Sequence, residues 1–442
     1  MPSALNSDSI DAMNRGEFKS LRHILVVVLL LMAANAYSQT TSEPQDLPSQ
    51  PAQPKRIIPI GNLDILGTYS DSNKGSGLWG YDISGSFSPV VRLNDTQYLI
   101  PLYNGAYKRM RQYVTQEEGG RLYNTWQLHN GSLALRTQLT DELTNRITAF
   151  GSWNFVKETR DESFGEGLYD YRDLGGSCDM RYTILTLDEK RNIYYRGGIE
   201  YFRRKYPNFQ SLISLAAVTA PEKNEKEFDA IKFSTGLEEK NPAGISWELK
   251  PSVLLKYFVD KKLIHEDGVL DPSKKRRDYV FEIDLNGAYP FGEGRWEIAL
   301  DNSIDYNHSN IGFYDTRDTA LISDDVFTNN YYTYLSMMAY PYLTYYHALS
   351  RDKKISIRAG YSFLRRDYSG RRAQEADGTY TNVKQKDKEH AFHITTFYPI
   401  TKSMAWVTTF DYTIEKSNQK YEKYYRYEYA VYQVQSGISI RF

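Results

Sequence analysis

The sequence predicts an all-β fold, a transmembrane antiparallel β-barrel of about sixteen strands, and three observations support it. Segments after residue 56 alternate apolar and polar side chains, tight turns alternate with longer polar connections, and no helical period of useful length is present. The 442 residues are 41% hydrophobic, enough for an ordered fold but not for a bundle of membrane helices. Lys and Arg (54) nearly balance Asp and Glu (55), so no basic field exists to bind nucleic acid.

The period-two alternation identifies individual strands. In the segment 406–414, Phe410 lies on an apolar and aromatic face, whereas its neighbour Asp411 points to a polar face. Segments 247–257 and 355–363 follow the same pattern. One wall of the predicted sheet is therefore apolar and the other is polar and often charged.

Two kinds of connection alternate along the chain. The tight ones have turn chemistry and lie at 94–96, 140–142, 188–190, 241–244, 291–294, 350–352 and 401–403. The longer polar ones lie at 70–77, 111–121, 160–168, 209–227, 260–277, 310–330, 369–388 and 416–426. Outer-membrane barrels sort short periplasmic turns and long extracellular loops to opposite ends, whereas a water-soluble sandwich has no reason to do so.

The connections also predict the strand number. Seven tight turns and eight longer connections imply sixteen strands, with about 24 residues for each strand and its connection. A count of 14 to 18 stays open because Asn130 and Gly131 fit either a β-bulge or a hairpin turn. Of the longer connections, 310–330 and 369–388 are the candidates for a loop that folds inward and narrows the lumen.

The amino terminus has the pattern of a secretory signal peptide. The apolar run 24–32 follows basic residues, ends near Ala34 and Ala36, and is too short to span a bilayer as a helix, which favours cleavage over an uncleaved anchor. The sequence therefore predicts a signal peptide at 1–36, a disordered periplasmic linker at 37–56 and a barrel at 57–442.

The single cysteine, Cys178, excludes an intramolecular disulfide.

The last strand carries a short motif at the end of the printed chain. Gln435, Gly437, Ile440 and Phe442 form the pattern polar, any, Gly, any, any, apolar, any, aromatic. In this the chain resembles the outer-membrane β-barrel proteins of Gram-negative bacteria, with no subfamily identified. The resemblance implies residence in the outer membrane and insertion by the barrel assembly machinery, with these four residues as the assembly signal.

The polar wall predicts a water-filled lumen lined by charges of both signs. The expected pore-lining residues are Arg181, Arg196, Glu200, Lys250, Lys256, Glu282, Asp284, Asp301, Arg358, Arg366 and Asp411. They fit a pore in which opposed acidic and basic walls create an electric field across the lumen. They also fit a ladder of cross-strand ion pairs that stiffens the wall, and the two interpretations are compatible. Balanced charge argues against the strong selectivity of one-sign rings.

Tyrosine is unusually frequent, with 38 residues against 19 Phe. Tyrosines near strand ends, among them Tyr98, Tyr201 and Tyr427, predict aromatic girdles at the membrane interfaces. The run 340–346 could instead supply an aromatic track for stacking sugars inside the lumen. The girdle is the favoured interpretation, since such girdles are general in these barrels.

The functional hypothesis is a porin-like channel for small hydrophilic solutes, without cofactor, metal or catalytic residue. An enzyme is disfavoured because His390 and His393, three apart, face opposite walls of a strand. His308 with Asp305 or Asp315 could form a dyad at the outer rim, but chance proximity in an Asp-rich loop is the favoured interpretation. The alternative is a surface adhesin, structural or assembly barrel that acts through its extracellular loops, and an outer-membrane hydrolase ranks lower. Expected partners are the lipid bilayer, the assembly machinery and the solutes, and a homo-oligomer stays open.

Overall fold

The structure is a computed structural model that describes residues 57–73, 75–115, 121–157, 163–188, 191–209, 224–241, 244–315, 326–350, 353–422 and 427–442. The predicted signal peptide at 1–36 and linker at 37–56 lie outside these residues. Among the described residues, no helix is long and apolar enough to span a membrane.

The described residues form twenty β-strands. These are β1 (Ile57–Ile58), β2 (Gly61–Ser72), β3 (Gly75–Phe87), β4 (Val90–Arg92), β5 (Gln97–Thr115), β6 (Arg121–Gln138), β7 (Leu143–Lys157), β8 (Tyr171–Asp188), β9 (Arg191–Lys205), β10 (Phe228–Lys240), β11 (Ser246–Ile264), β12 (Leu270–Phe291), β13 (Trp296–Ser309), β14 (Phe313–Asp315), β15 (Val326–Thr328), β16 (Tyr334–Ser350), β17 (Lys353–Gln374), β18 (Tyr380–Pro399), β19 (Met404–Ser417) and β20 (Tyr429–Arg441). Neighbouring strands pair antiparallel throughout.

The barrel has sixteen strands because two of its strands are interrupted. β1 and β4 pair with each other in the register that β2 and β3 continue, and the interruptions fall at Pro59 and Pro89. Proline has no N–H to donate to a sheet, which explains both breaks. β14 and β15 form a separate two-stranded sheet.

Closure occurs between the first and last strands. β20 pairs with β19 on one side and with β2 on the other, from Asn62–Arg441 to Ser72–Val431. The antiparallel sixteen-stranded barrel predicted from the sequence is confirmed. The Asn130–Gly131 step lies inside β6 with uninterrupted pairing to β5, so it is neither a bulge nor a turn.

The tight turns and longer connections lie at opposite ends of the barrel, here called the turn end and the loop end. Each predicted tight turn separates two paired strands, and Glu293 illustrates the chemistry, because it and its flanking glycines, Gly292 and Gly294, all have positive φ. The longer loops predicted at 70–77, 260–277 and 369–388 are wrong, since most of their described residues are strand.

The physical reason is that polar residues still pair their backbones. β11 continues to Ile264 and β12 begins at Leu270, while β17 continues to Gln374 and β18 begins at Tyr380. At 22 residues, β12 and β17 exceed the roughly 10 residues that cross a bilayer, so they form hairpins that continue past the apolar wall. The prediction that 369–388 folds inward as a loop is therefore wrong.

The outer face of the barrel is apolar and exposed. Leu174 is 61% exposed and Leu133 50% exposed, and Ile199, Phe281 and Ile394 are comparable. A water-soluble protein does not leave so wide an apolar surface uncovered. The surface is that of a barrel whose exterior meets lipid, as the sequence predicted.

Candidate functional site in the barrel interior

The predicted pore-lining residues occupy the strand positions between the exposed apolar ones. For example, Met180 and Tyr182 are 50% and 42% exposed on the outer face, so Arg181 between them faces the interior. The same alternation places all eleven on the inner face: Arg181, Arg196, Glu200, Lys250, Lys256, Glu282, Asp284, Asp301, Arg358, Arg366 and Asp411. The lumen surface is built from these side chains and from the hydroxyl and amide side chains at the other inward-facing positions of the same strands.

A buried glutamate joins two of these arginines near the turn end. Glu238 on β10 is 2% exposed, and its carboxylate oxygens lie 2.8 Å from Arg181 Nε and 2.6 Å from an Arg196 Nη atom. Arg196 also lies 3.7 Å from Glu248. The sequence pattern did not single out Glu238, because only strand register brings it between β8 and β9 side chains and makes it their shared counter-ion.

A cavity of about 490 Å³ opens beside this group. Its lining carries five cationic side chains but one carboxylate, that of Asp179. The cationic residues are Arg136, Arg146, Arg181, Arg196 and Lys250. This part of the wall, here called the basic patch, is lined mainly by cationic side chains, of which Arg181, Arg196 and Lys250 pair with carboxylates outside the lining.

Ion pairs connect β10, β11 and β12 in a ladder. Lys232 Nζ lies 2.9 Å from Glu282, which also accepts a hydrogen bond of 3.0 Å from Ser252 Oγ. Lys250 lies 3.6 Å from Asp284 on the next strand. These contacts are the cross-strand ladder that the sequence offered as one interpretation of the charged wall.

β13 presents the opposite sign. Glu297, Asp301 and Asp305 share its inner face, and none of them has an ion pair within 4.0 Å in the described part of the chain. On β16, the next strand, the rings of Tyr340 and Tyr342 contact each other in a tilted arrangement, with 5.2 Å between their centroids. Acidic and basic charges are thus partly separated around the wall instead of being fully neutralised.

The interior of β17 to β19 contains a chain of three hydrogen-bonded side chains. His393 Nδ1 lies 2.7 Å from Asp411 Oδ1, and its Nε2 lies 3.2 Å from Ser362 Oγ. His390 is on the other face, where its Nδ1 lies 2.6 Å from the Tyr361 hydroxyl. The two histidines face opposite walls, as the spacing predicted, and among the described residues no cluster of three or more His, Cys, Asp or Glu could hold a metal ion.

Arginines and aromatic rings alternate near the loop end of the lumen. The Arg204 guanidinium lies 4.0 Å from the Tyr171 ring centroid, and Arg276 lies 4.4 Å from Phe258. Arg366 lies 4.8 Å from Tyr334. Such stacks fix the guanidinium planes along the wall while leaving their N–H edges for other partners.

Some tyrosines predicted for the interfacial girdle belong to the interior. Tyr98 pairs with Arg136 across β5 and β6, on the face that bears the basic patch. Tyr427 lies before β20, where burial raises its pKa to about 12. Burial also raises the pKa of Tyr331, so both phenols stay neutral hydrogen-bond donors at pH 7. Tyr201, by contrast, is exposed on the outer wall.

No known protein family and no curated protein matches the sequence. Among solved structures, a loop-deletion mutant of OmpT, an outer membrane protein of Vibrio cholerae, is 8% identical, with 88% of this chain and 100% of that chain covered and a TM-score of 0.43. A bacterial polysaccharide outer membrane secretin is 9% identical (87% and 98% covered, TM-score 0.41), and the P. putida toluene transporter TodX is 11% identical (87% and 89% covered, TM-score 0.36). Likeness this weak adds nothing to what the barrel itself shows.

Proposed function

We propose that the protein is an outer-membrane channel through which small hydrophilic solutes diffuse. The observation that carries this proposal is the contrast between the two faces of one closed wall: exposed apolar side chains outside, and charged, hydroxyl and amide side chains inside. A closed barrel satisfies its backbone hydrogen bonds without exposed edges, which is what lipid requires. The long hairpins at the loop end would then be extracellular and the tight turns periplasmic.

The lumen charges suggest how the channel treats its solutes. The basic patch and the acidic residues of β13 would impose a transverse field that orients polar solutes without a ring of a single sign. Because the two signs are balanced overall, selectivity between cations and anions would be weak. The described segment 326–333 carries Tyr331, which packs against Arg371 of the lumen wall, so this segment would narrow the entrance.

The carboxy-terminal residues support assembly in the outer membrane. Phe442 and Gly61 exchange two backbone hydrogen bonds, of 2.8 and 3.0 Å, where the first and last barrel strands meet. We propose that Gln435, Gly437, Ile440 and Phe442 are read by the barrel assembly machinery before this seam closes. Their role would be in biogenesis and not in transport.

Removal of lumen arginines tests the channel proposal. Arg358 and Arg366 have no carboxylate within 4.0 Å among the described residues, so Arg358→Ala or Arg366→Ala removes a positive charge that is not held in a close ion pair. We expect the reversal potential in a salt gradient to shift towards cation selectivity, with unchanged amounts of folded protein. Arg365→Ala is the matched control, because Arg365 is the neighbour of Arg366 on the opposite face and pairs with Asp367 at 2.8 Å. Equal reversal potentials in all three variants would contradict the pore-lining role.

A specific observation favours a hydrolase as a second candidate function. Ser362, His393 and Asp411 have the hydrogen-bond order of a nucleophile, a general base and an orienting carboxylate. Tyr340 lies beside this chain of side chains, with its ring edge-on to His393 at 5.3 Å between ring centroids. Against this function, the backbone N–H groups around Ser362 belong to a regular sheet, so they cannot form an oxyanion hole.

A serine-directed probe separates the two functions. If Ser362 is a nucleophile, a fluorophosphonate should label the folded protein, and both Ser362→Ala and His393→Gln should abolish the labelling. Peptide mapping by mass spectrometry identifies the labelled residue, and Ser336→Ala, at another inward serine, is the control. The channel proposal expects no labelling at Ser362.

A further inference from the structure

A second interior cavity, of about 210 Å³, lies at the loop end of the lumen between β11 and β17. Three cationic side chains line it, those of Lys256, Arg276 and Arg371. Asp278 is the single carboxylate among its lining residues, and the remaining lining side chains are tyrosines and an asparagine. The cavity therefore has an excess of positive charge together with neutral hydrogen-bonding groups.

The one carboxylate is already engaged by its own neighbours. Arg276 donates to both oxygens of Asp278 at 2.7 to 3.1 Å, and Ser309 Oγ donates to the same group at 2.5 Å. Asp278 is 4% exposed, and among the described residues Arg276 is the one cation of the cavity within 4.0 Å of it, although Lys256 is its direct cross-strand neighbour. One carboxylate therefore faces three cations, and the cavity keeps a net positive charge.

Arg371 is held in place by rings and not by an acid. Its guanidinium carbon lies 4.1 Å from the Tyr331 ring centroid and 4.4 Å from that of Tyr368. Within the described part of the chain it has no carboxylate within 4.0 Å, and its buried Nε has no hydrogen-bond partner. Ring stacking uses the face of a guanidinium, whereas its edge donors match the oxygens of a carboxylate or phosphate.

Lys256 supplies a further cation that has no close ion pair in the described part of the chain, although Asp278 is its cross-strand neighbour. Its Nζ lies 5.6 Å from the Phe228 ring centroid, and no carboxylate of the described residues lies within 4.0 Å of it. A cation that is partly buried without a counter-ion is costly, and a bound anion would remove that cost. At about 30 Å³ for each water in the liquid, the cavity has the volume of about seven waters, enough for a solute the size of one sugar acid.

We propose that this cavity binds a small anionic solute, one that bears a carboxylate or phosphate and is no larger than a monosaccharide acid. The inference rests on the proposed channel function, because the bound anion would be a solute in transit through the lumen. Arg371 and Lys256 would hold the anionic group, while the neighbouring tyrosines would donate to the solute's oxygens.

The test is calorimetric titration of the refolded full-length protein in detergent with inorganic phosphate, with glucuronate and with glucose. We expect at least one of the two anions to bind and glucose not to bind, and Arg371→Gln and Lys256→Gln each to weaken anion binding by about tenfold or more. Arg277→Gln is the matched control, because Arg277 is exposed on the opposite face of the strand that carries Arg276. The Arg277→Gln variant should bind the anion with the same affinity as the wild type. The gel shift of the folded barrel verifies folding of each variant, and Lys256→Gln keeps the test decisive if Arg371→Gln does not fold.

Each result has one meaning for the proposal. Absence of binding of both anions to the wild type would overturn it, as would unchanged affinity in a folded Lys256→Gln variant. Preference for glucuronate over phosphate would support an organic acid as the solute, and the reverse would support a phosphate group. If the protein conducts ions but binds neither anion, the proposed anion site is wrong and the proposed channel function stands. If it binds an anion but carries no current, the anion site stands and the channel function is wrong.

Discussion

Gly437→Ala should prevent most of the protein from closing into a barrel. Gly437 pairs with Leu66 at the seam between β20 and β2. A β-carbon built there would lie well inside contact distance of the Ile65 carbonyl oxygen and 2.8 Å from the Leu66 Cα. Both are backbone atoms of the opposing strand, so neither can swing aside, and we expect a cost at the upper end of the roughly 1 to 3 kcal/mol typical of overpacking.

The control is a glycine directly across the same seam. Gly67 pairs with Ser436, and a β-carbon there would lie 3.7 Å from the nearest atom, which is ordinary contact. Gly67→Ala should therefore fold like the wild type. The fraction of protein with the shifted electrophoretic mobility of an unheated folded barrel measures both variants. Similar folded fractions for Gly437→Ala and Gly67→Ala would show that the seam is not as closely packed as described.

Phe410→Arg should destabilise the barrel in lipid by about 2 to 4 kcal/mol, because Phe410 lies midway along its strand, and Leu255→Arg, nearer the loop end, should cost less. Both side chains belong to the outer wall, and Phe410 is 39% exposed there. An arginine at either position would place a charge in hydrocarbon, where water cannot solvate it. Urea titration of the protein refolded in vesicles measures the free energy of unfolding.

Their immediate neighbours provide the matched comparison. Lys256→Ala and Asp411→Ala change the inner face of the same two strands, where water can solvate the groups left behind. Asp411 is 26% exposed at its side chain, so His393 would exchange its carboxylate partner for water at little cost. Equal losses of stability on both faces would mean that the inside and outside of the wall are wrongly assigned.

The fold could be predicted because its main determinants are local. Alternation within 406–414 depends on neighbouring residues, and turn chemistry at 291–294 depends on a few adjacent ones. The prediction failed at 70–77, 260–277 and 369–388, where polar composition suggested loops. There the backbones pair as hairpins, because strand continuation depends on a partner strand and not on the polarity of the side chains.

The site could be predicted only in part. The alternation of inward and outward side chains along a strand was enough to place Arg181 and Lys250 on the inner face. Their partners depend on the register between strands distant in sequence, which no local pattern contains. Glu238 between two arginines and the Ser362–His393–Asp411 chain arise in this way. The loop-end cavity also needs the segment 326–333 to bring Tyr331 onto Arg371.

The central claim is that the charged interior is a path for solutes, and conductance across a planar lipid bilayer tests it most directly. The refolded wild-type protein should add discrete, reproducible current steps that scale with salt concentration and show weak selectivity between cations and anions. A correctly folded protein that inserts into the bilayer and carries no current would contradict the channel.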